Sequence, residues 1–366
     1  MPTPSRPTLF DPITLGAVRA PNRIVMAPLT RARATRDHVP TPLMAEYYAQ
    51  RASAGLILSE ATGISSQGLG WPYAPGLWNE AQVAAWQPIT AAVHKAGGRI
   101  FAQLWHMGRI VHPSVNNGLG PVSASATTAP GEVHTYDGKK PQVQARALDI
   151  AEIPGILEDY RRAARNAIAA GFDGVQLHAA NGYLIDQFMR DGTNQRSDAY
   201  GGPIENRIRL LREAVQALVE TVGAERTAVR LSPNDDPQGC GDSNTEALFL
   251  AAVEALNGFN LAFLEMRASR PESSFRPGVR DLVPQIRKAY RGVLILNSDY
   301  GRDDATAALE QGRADAIAFG RPFIANPDLP ARLRSGAPLA VPNVATFYSQ
   351  GAEGYTDYPP LEKAAQ

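Results

Sequence analysis

The feature that most constrains this chain of 366 residues is a repeated alternation between a short apolar run and a longer helical pattern. Candidate strands fall at Arg23–Ala27, Gly55–Glu60, Arg99–Trp105, Gly174–His178, Ala228–Ser232, Leu261–Met266, Val293–Asn297 and Ala316–Gly320. Several are unbroken apolar runs, such as Ile24-Val25-Met26 and Leu56-Ile57-Leu58, as strands covered on both faces should be. Helical patterns lie between them at 42–53, 80–97, 154–171, 205–222, 244–257, 280–290, 302–312 and 326–335. Pro154, Pro203 and Pro327 stand near helix starts, where a missing N–H costs little. Gly97, Gly171, Gly223, Gly258 and Gly312 stand near helix ends, where glycine adopts a left-handed cap. Eight such units predict an α/β fold, a closed (β/α)8 TIM barrel; a doubly wound sheet would leave the last units surplus. The expectation is a single domain over 1–366, with an N-terminal β-hairpin and an excursion after the third strand.

That excursion covers 109–153 and is rich in Ser, Thr, Gly and Pro. Loops so long in a compact domain are functional or carry structure of their own. Val122–Gln144 is expected to form a hairpin over the barrel mouth, with a disordered insert as the plainer alternative.

Composition narrows the chemistry. Lys+Arg and Asp+Glu both count 36, so the basic surplus of a nucleic-acid binder is missing. Cys240 is the single cysteine, which leaves no disulfide framework and no cysteine-based cluster. The opening residues MPTPSRPTLFDP hold no apolar stretch fit for a signal peptide, and no apolar run approaches bilayer length. A soluble cytoplasmic protein without membrane or nucleic-acid partners is the expectation.

Barrel sites collect at the C-terminal ends of the strands. In order, those ends here carry Pro28-Leu29-Thr30, Glu60-Ala61-Thr62, Gln103-Leu104-Trp105-His106 and His178-Ala179-Ala180-Asn181-Gly182-Tyr183. Then come Arg230-Leu231-Ser232, Met266-Arg267, Asn297-Ser298-Asp299-Tyr300 and Phe319-Gly320-Arg321. Donors and cations dominate. Neither the clustered ligands of a metal site nor the carboxylate pair of a glycosidase is visible. The set suits stabilising negative charge and supplying one proton.

At these positions the chain resembles the Old Yellow Enzyme family, and within it the pentaerythritol tetranitrate reductase and N-ethylmaleimide reductase-like members. The resemblance rests on PNRIVMAPLTR (21–31), PTPLMAEYYAQRASAGLILSEAT (40–62), QLWHMGR (103–109), HAANGYLIDQF (178–188), NQRSDAYGG…ENR (194–207), AFGRPFIANPDL (318–329) and GAEGYTDYP (351–359). It implies non-covalent FMN at the barrel mouth, reduced by NADPH or NADH. The reduced flavin then passes hydride to the β carbon of activated alkenes (enones, maleimides, nitroalkenes); activity on nitrate esters is left open. The enzyme would work as a monomer or homodimer.

Residue by residue, the resemblance places Pro28, Leu29 and Thr30 at the flavin, with the Thr30 hydroxyl reaching a ring carbonyl; otherwise Thr30 is an ordinary turn residue. Ala61 matches a small residue beside the ring, and Gln103 the residue at its pyrimidine edge; each could equally be simple core or a satisfied buried amide. Arg230 matches the cation where charge gathers on reduction, and a buried arginine needs a strong partner in any case. Asn297, Ser298, Gly320 and Arg321 match the phosphate end, where many members carry glycines within the stretch Asn297-Ser298-Asp299-Tyr300; Asp299 would have to point away from the phosphate. His178 and Asn181 match the donor pair for the substrate oxygen, and Tyr183 the proton donor. Trp71, Trp105 and Tyr348 match cavity-lining positions whose plain role is aromatic packing. Arg31 and the NQRSDAYGG segment look structural, and Asp242 and Glu246 look like solvated charges.

Other flavin barrels compete with this reading: a dihydroorotate dehydrogenase, or the barrel half of a dienoyl-CoA reductase, whose cysteine-ligated cluster one cysteine cannot hold. A flavin-binding sensor without catalysis is the non-enzyme alternative, and His178, Asn181 and Tyr183 speak against it. No glycine-rich dinucleotide fingerprint is present, so nicotinamide and substrate would use one site in turn, with ping-pong kinetics.

Overall fold

The computed structural model describes residues 6–233, 236–267 and 280–361. Eight parallel strands close on themselves: β1 (Ile24–Met26), β2 (Leu56–Leu58), β3 (Ile100–Trp105), β4 (Gly174–His178), β5 (Thr227–Leu231), β6 (Phe263–Arg267), β7 (Leu294–Asn297) and β8 (Ala316–Phe319). Each pairs with its neighbour in sequence, and β8 returns to β1, so this is a (β/α)8 barrel. The outer helices are α1 (Pro42–Gln50), α2 (Glu80–Lys95), α3 (Ile153–Ala169), α4 (Arg209–Val222), α5 (Thr245–Leu256), α6 (Val283–Ala289), α7 (Arg302–Glu310) and α8 (Leu329–Ser335). In α4 the buried positions Leu210, Leu211, Ala214, Val215 and Leu218 recur at helical spacing, which gives the helix one face to lay on the strands.

Alternation along the strands separates two apolar cores. Ile24, Met26, Ile57, Ile100 and Ala102 face outward into the layer shared with the helices. Val25, Leu56, Leu58, Phe101, Ala228, Phe263 and Ile295 fill the barrel interior. The antiparallel hairpin Ile13–Leu15/Val18–Ala20 adds Leu15, Val18 and Ala20 to that interior core, at its N-terminal end.

Local details depart from expectation where tertiary packing decides. The helix expected over 205–222 is two pieces, Ile204–Arg207 and α4, separated at Ile208. Gly97, Gly171, Gly223 and Gly312 do take positive φ, but Gly258 does not; Asn260 (φ 52°) makes the left-handed turn instead, which asparagine tolerates. Pro327 precedes its helix, and Pro330 occupies the first turn of α8. Two short helices escaped the pattern, Leu184–Met189 after β4 and Arg321–Ala325 after β8. The excursion contains the antiparallel pair Glu132–Thr135 and Gly138–Pro141, while Val122–Ser123 pairs with Arg146–Ala147 in parallel. Among the described residues no helix is long and apolar enough to cross a membrane.

Candidate active site

Above the apolar interior the same alternation produces a polar layer. Gln103 of β3 lies opposite Gln176 of β4, and Arg230 of β5 opposite Glu265 of β6. Gln103 Nε2 donates to Gln176 Oε1 (2.8 Å), and Gln176 Nε2 donates to Glu265 Oε2 (2.8 Å). Asn297 Nδ2 donates to Glu265 Oε1 (2.9 Å), and Arg230 Nε lies 3.4 Å from that same oxygen. All five residues are buried. Glu265 is therefore the strong partner that a buried Arg230 requires. Glu265 and Gln176 were missed in the sequence, although a polar residue in an inward register is a readable signal.

The end of β4 holds the donors. His178 is buried, and its Nδ1 has no hydrogen-bond partner among the described residues. Burial, helped by the cations of Arg230 and Arg267, pushes its imidazole well below the ordinary value, so the ring is neutral at neutral pH. Asn181 sits in the left-handed region (φ 60°), its N–H donating to Ser232 Oγ (2.8 Å). Arg267 Nη1 donates to Asn181 Oδ1 (2.9 Å), which fixes the amide and turns Nδ2 away as a donor. Gly182 (φ 77°) is obligatory, because a Cβ there would stand 2.4 Å from the Pro237 carbonyl oxygen. Its N–H donates to Asp186, whose carboxylate pairs with Arg190 at 2.7 Å in full burial, and Arg190 holds the Ser232 carbonyl. This lattice locks the turn that presents Tyr183.

The Tyr183 ring stands edge-on to both His178 (centroids 5.0 Å) and Trp105 (4.9 Å). Burial, with Tyr348 nearby, pushes its phenol up to about 12, against a hydrogen bond from Gln238 that pulls it down. Ala61 and Trp105 belong to one buried cluster, against which Trp71 and Tyr183 pack. Trp71 also meets Tyr348 (5.1 Å) and His134 of the excursion hairpin (4.8 Å), so three separate segments form one aromatic wall. Tyr348 is held there by Arg31 and Arg33. Arg31 donates to the carbonyls of Phe347 and Gly354, and Arg33 to those of Thr346, Phe347, Gly351 and Glu353.

Pro28, Leu29, Arg230, Asn297, Ser298, Gly320 and Arg321 line a single cavity, together with Arg267 and Asp299. Thr30, half-buried, continues the same segment but is not part of that wall. Ser298 (φ 153°) and Asp299 (φ 47°) occupy backbone regions that favour glycine. Asp299 does not point away from the basic group: its carboxylate pairs with Arg321 at 2.8 Å, opposite charges brought together where the ends of β7 and β8 meet. Asp242 also corrects its sequence reading, since its carboxylate is fully buried and pairs with Arg207 at 2.5 Å. Glu246 pairs with Arg280. In the NQRSDAYGG segment, Arg196 donates to the carbonyls of Ala124 and Leu148 and so ties down the excursion.

A closed parallel barrel with a cation-lined cavity and a donor cluster at its C-terminal mouth defines a class of flavin oxidoreductases. The chain belongs to the NADH:flavin oxidoreductase / NADH oxidase family, the Old Yellow Enzyme family, whose profile matches residues 8–340. It is an NAD(P)H-dependent flavin oxidoreductase, with FMN as the cofactor that membership implies. The Old Yellow Enzyme homologue from Zymomonas mobilis is 61% identical, with a TM-score of 0.96 over 97% of this chain and 100% of that one. Morphinone reductase in complex with tetrahydroNAD is 47% identical, with a TM-score of 0.91 over 97% of this chain and 98% of that one. Among sequence relatives, 12-oxophytodienoate reductase 2 of Arabidopsis thaliana is 41% identical, over 98% of this chain and 96% of that protein.

Proposed function

We propose that this enzyme is an ene-reductase, one FMN-binding unit over 1–366 that reduces alkenes activated by a carbonyl, imide or nitro group. The observation that carries the reading is the pairing of a buried, neutral His178 whose Nδ1 lacks a partner among the described residues with an Asn181 amide turned to donate. Donor groups three positions apart at one strand end suit an oxygen that becomes negative during reaction.

The residues also fit FMN. Arg230 and Arg321 would hold its negative charge, Gln103 and Asn297 its polar edges, and Gly320, Pro28 and Leu29 its flat surface beside Thr30 and Ala61. Gly320 leaves room here, since a Cβ would meet nothing closer than Leu29 at 3.5 Å. When bound, FMN supplies a hydride store filled by NADPH or NADH and emptied onto the alkene.

This chain's residues do the rest. His178 and Asn181 grip the substrate oxygen and hold the charge that gathers there as the β carbon gains hydride. Tyr183 then gives the α carbon its proton; with its pKa near 12 the phenol is protonated at every working pH. Trp71, Trp105 and Tyr348 exclude water and shape the substrate. Reductant and substrate take turns at one site, so the kinetics are ping-pong.

Denaturing the purified protein should release FMN into the supernatant, and steady-state oxidation of NADPH and of NADH should accelerate with cyclohexenone, N-substituted maleimides and nitroalkenes. Released FAD, flavin retained on the chain, or nucleotide oxidation indifferent to every alkene would overturn the proposal. Nitrate esters in the same panel set the outer limit of the substrate range.

A further inference from the structure

We propose that Glu265 is a positioning residue that dictates, through Gln176, which end of the Gln103 amide is offered to the flavin. The inference rests on the FMN reading above. An amide looks alike at both ends, so its orientation follows from its partners. A carboxylate can only accept. Glu265 Oε2 therefore demands the Nε2 of Gln176, at 2.8 Å. That choice leaves Gln176 Oε1 for the next link, where it accepts from Gln103 Nε2, also at 2.8 Å. Gln103 has then committed its amino end to the barrel and keeps Oε1 for a ligand. The pyrimidine edge of a flavin carries one N–H between two carbonyls, and Oε1 is the group that N–H requires.

The relay is closed at its other end as well. Glu265 Oε1 accepts from Asn297 Nδ2 and faces Arg230 Nε, so neither carboxylate oxygen is spare and the group cannot turn. Gln176 and Glu265 are both completely buried and Gln103 is 1% exposed, so water offers no alternative partner. The register supports the same order, since Gln103 lies directly across from Gln176 and Glu265 directly across from Arg230.

Glu265→Gln changes one oxygen to an amino group at constant shape. Its Oε1 still suits Asn297 and Arg230, but its Nε2 meets Gln176 Nε2, donor against donor. Gln176 must flip, which sets its own Nε2 against Gln103 Nε2 and forces Gln103 to flip in turn. The ligand would then face a donor in place of an acceptor. The double variant Glu265→Gln/Gln176→Glu repairs the chain by moving the carboxylate one link along. There the glutamate at 176 accepts from both neighbours, and Gln103 keeps its orientation.

The test is the dissociation constant of FMN, measured by flavin fluorescence on dilution of the purified yellow protein, with thermal melts as a check on folding. Glu265→Gln should loosen FMN about tenfold or more, the effect of one buried hydrogen bond turned into opposition. The exchange variant should return to within about threefold of wild type. If Glu265→Gln does not fold, recovery in the exchange variant alone carries the proposal. Unchanged FMN affinity in a folded Glu265→Gln, or an exchange variant that folds yet still binds FMN about tenfold more weakly, overturns the relay. Wild-type protein without any flavin would break the FMN reading instead, so the two failures are distinct.

Discussion

The two sides of the barrel mouth are in opposite hydrogen-bonding states. On the β3–β4 side, Trp105 Nε1, His106 Nε2 and His178 Nδ1 are buried without a partner among the described residues. On the β7–β8 side, Arg321 is already paired with Asp299, and Asn297 already donates to Glu265. An unmet buried donor costs free energy until a ligand arrives, so a ligand on the first side gains bonds outright. A ligand on the second side must exchange an existing partner for itself. On the proposed function, the substrate side is thus prepared by want of partners, and the phosphate side by charges that hold each other in place.

The largest effect should come from the first side. Tyr183→Phe keeps the ring that packs on Trp105 and His178 and removes only the phenolic hydroxyl, so flavin content and nicotinamide-driven reduction should stay at wild-type levels. Reoxidation by cyclohexenone should slow by roughly 100- to 10,000-fold, the usual worth of a placed general acid. Nitroalkenes should suffer far less, because a nitronate is stable enough to leave and take its proton from water. Rapid mixing of each half-reaction separates these cases, and wild-type reoxidation by cyclohexenone would remove Tyr183 from the mechanism.

Next in size is the donor pair. His178→Ala/Asn181→Ala should lower enone turnover by roughly 100- to 1,000-fold and abolish the charge-transfer band with phenols. A band of normal strength would show that the unmet donors of this side serve some other purpose.

Acid should also find the first side. Burial holds His106 down at about 3, against an ordinary 6.5. Between these values the unfolded chain binds a proton that the folded chain refuses, so stability is whole above 6.5 and falls as pH falls. Each such histidine steepens the loss by about 1.4 kcal/mol per pH unit. Glu60, which burial raises from 4.5 to about 7, acts with the opposite sign: its contribution is full below 4.5 and is lost as pH rises through 7. Urea unfolding from pH 7.5 downward should give His106→Gln a flatter acid slope than wild type and Glu60→Gln a steeper one. Parallel slopes would mean that neither group stays in its uncharged form on folding.

The smallest effect belongs to the second side. Asp299→Gly removes the carboxylate that an incoming phosphate must displace and relieves a residue at φ 47°. The pair is partly exposed, so FMN should bind only about two- to fivefold tighter. Weaker binding would mean that Asp299 helps to hold the ligand, and the contrast between the two sides would have to be redrawn.

Much of this was legible in the chain. Gly174–His178 was placed to the residue, and the other strands to within two at either end, because short apolar-rich runs between longer helical patterns leave little choice. The cluster His178, Asn181 and Tyr183 is local, within six positions of one strand end, so it stood out as a polar group, while the roles expected of it came from the family resemblance. Glu265 was not read, since nothing next to it in sequence reveals that Arg230, Gln176 and Asn297 converge on it. His134 was passed over for the same reason; its neighbours Trp71 and Tyr348 come from distant segments.

By itself the sequence determined the eightfold alternation and the polar residues at each strand end, because these depend on propensity and period within a few residues. Tertiary structure alone decided that Asp299 turns to Arg321, that Glu265 orders a chain of amides, and that Arg31 reaches the Gly354 carbonyl across 323 positions to hold Tyr348 over the mouth. Buried charges and amides take whichever partner barrel closure brings within reach. That partner is set by geometry between strands, on which the order of residues along one strand is silent.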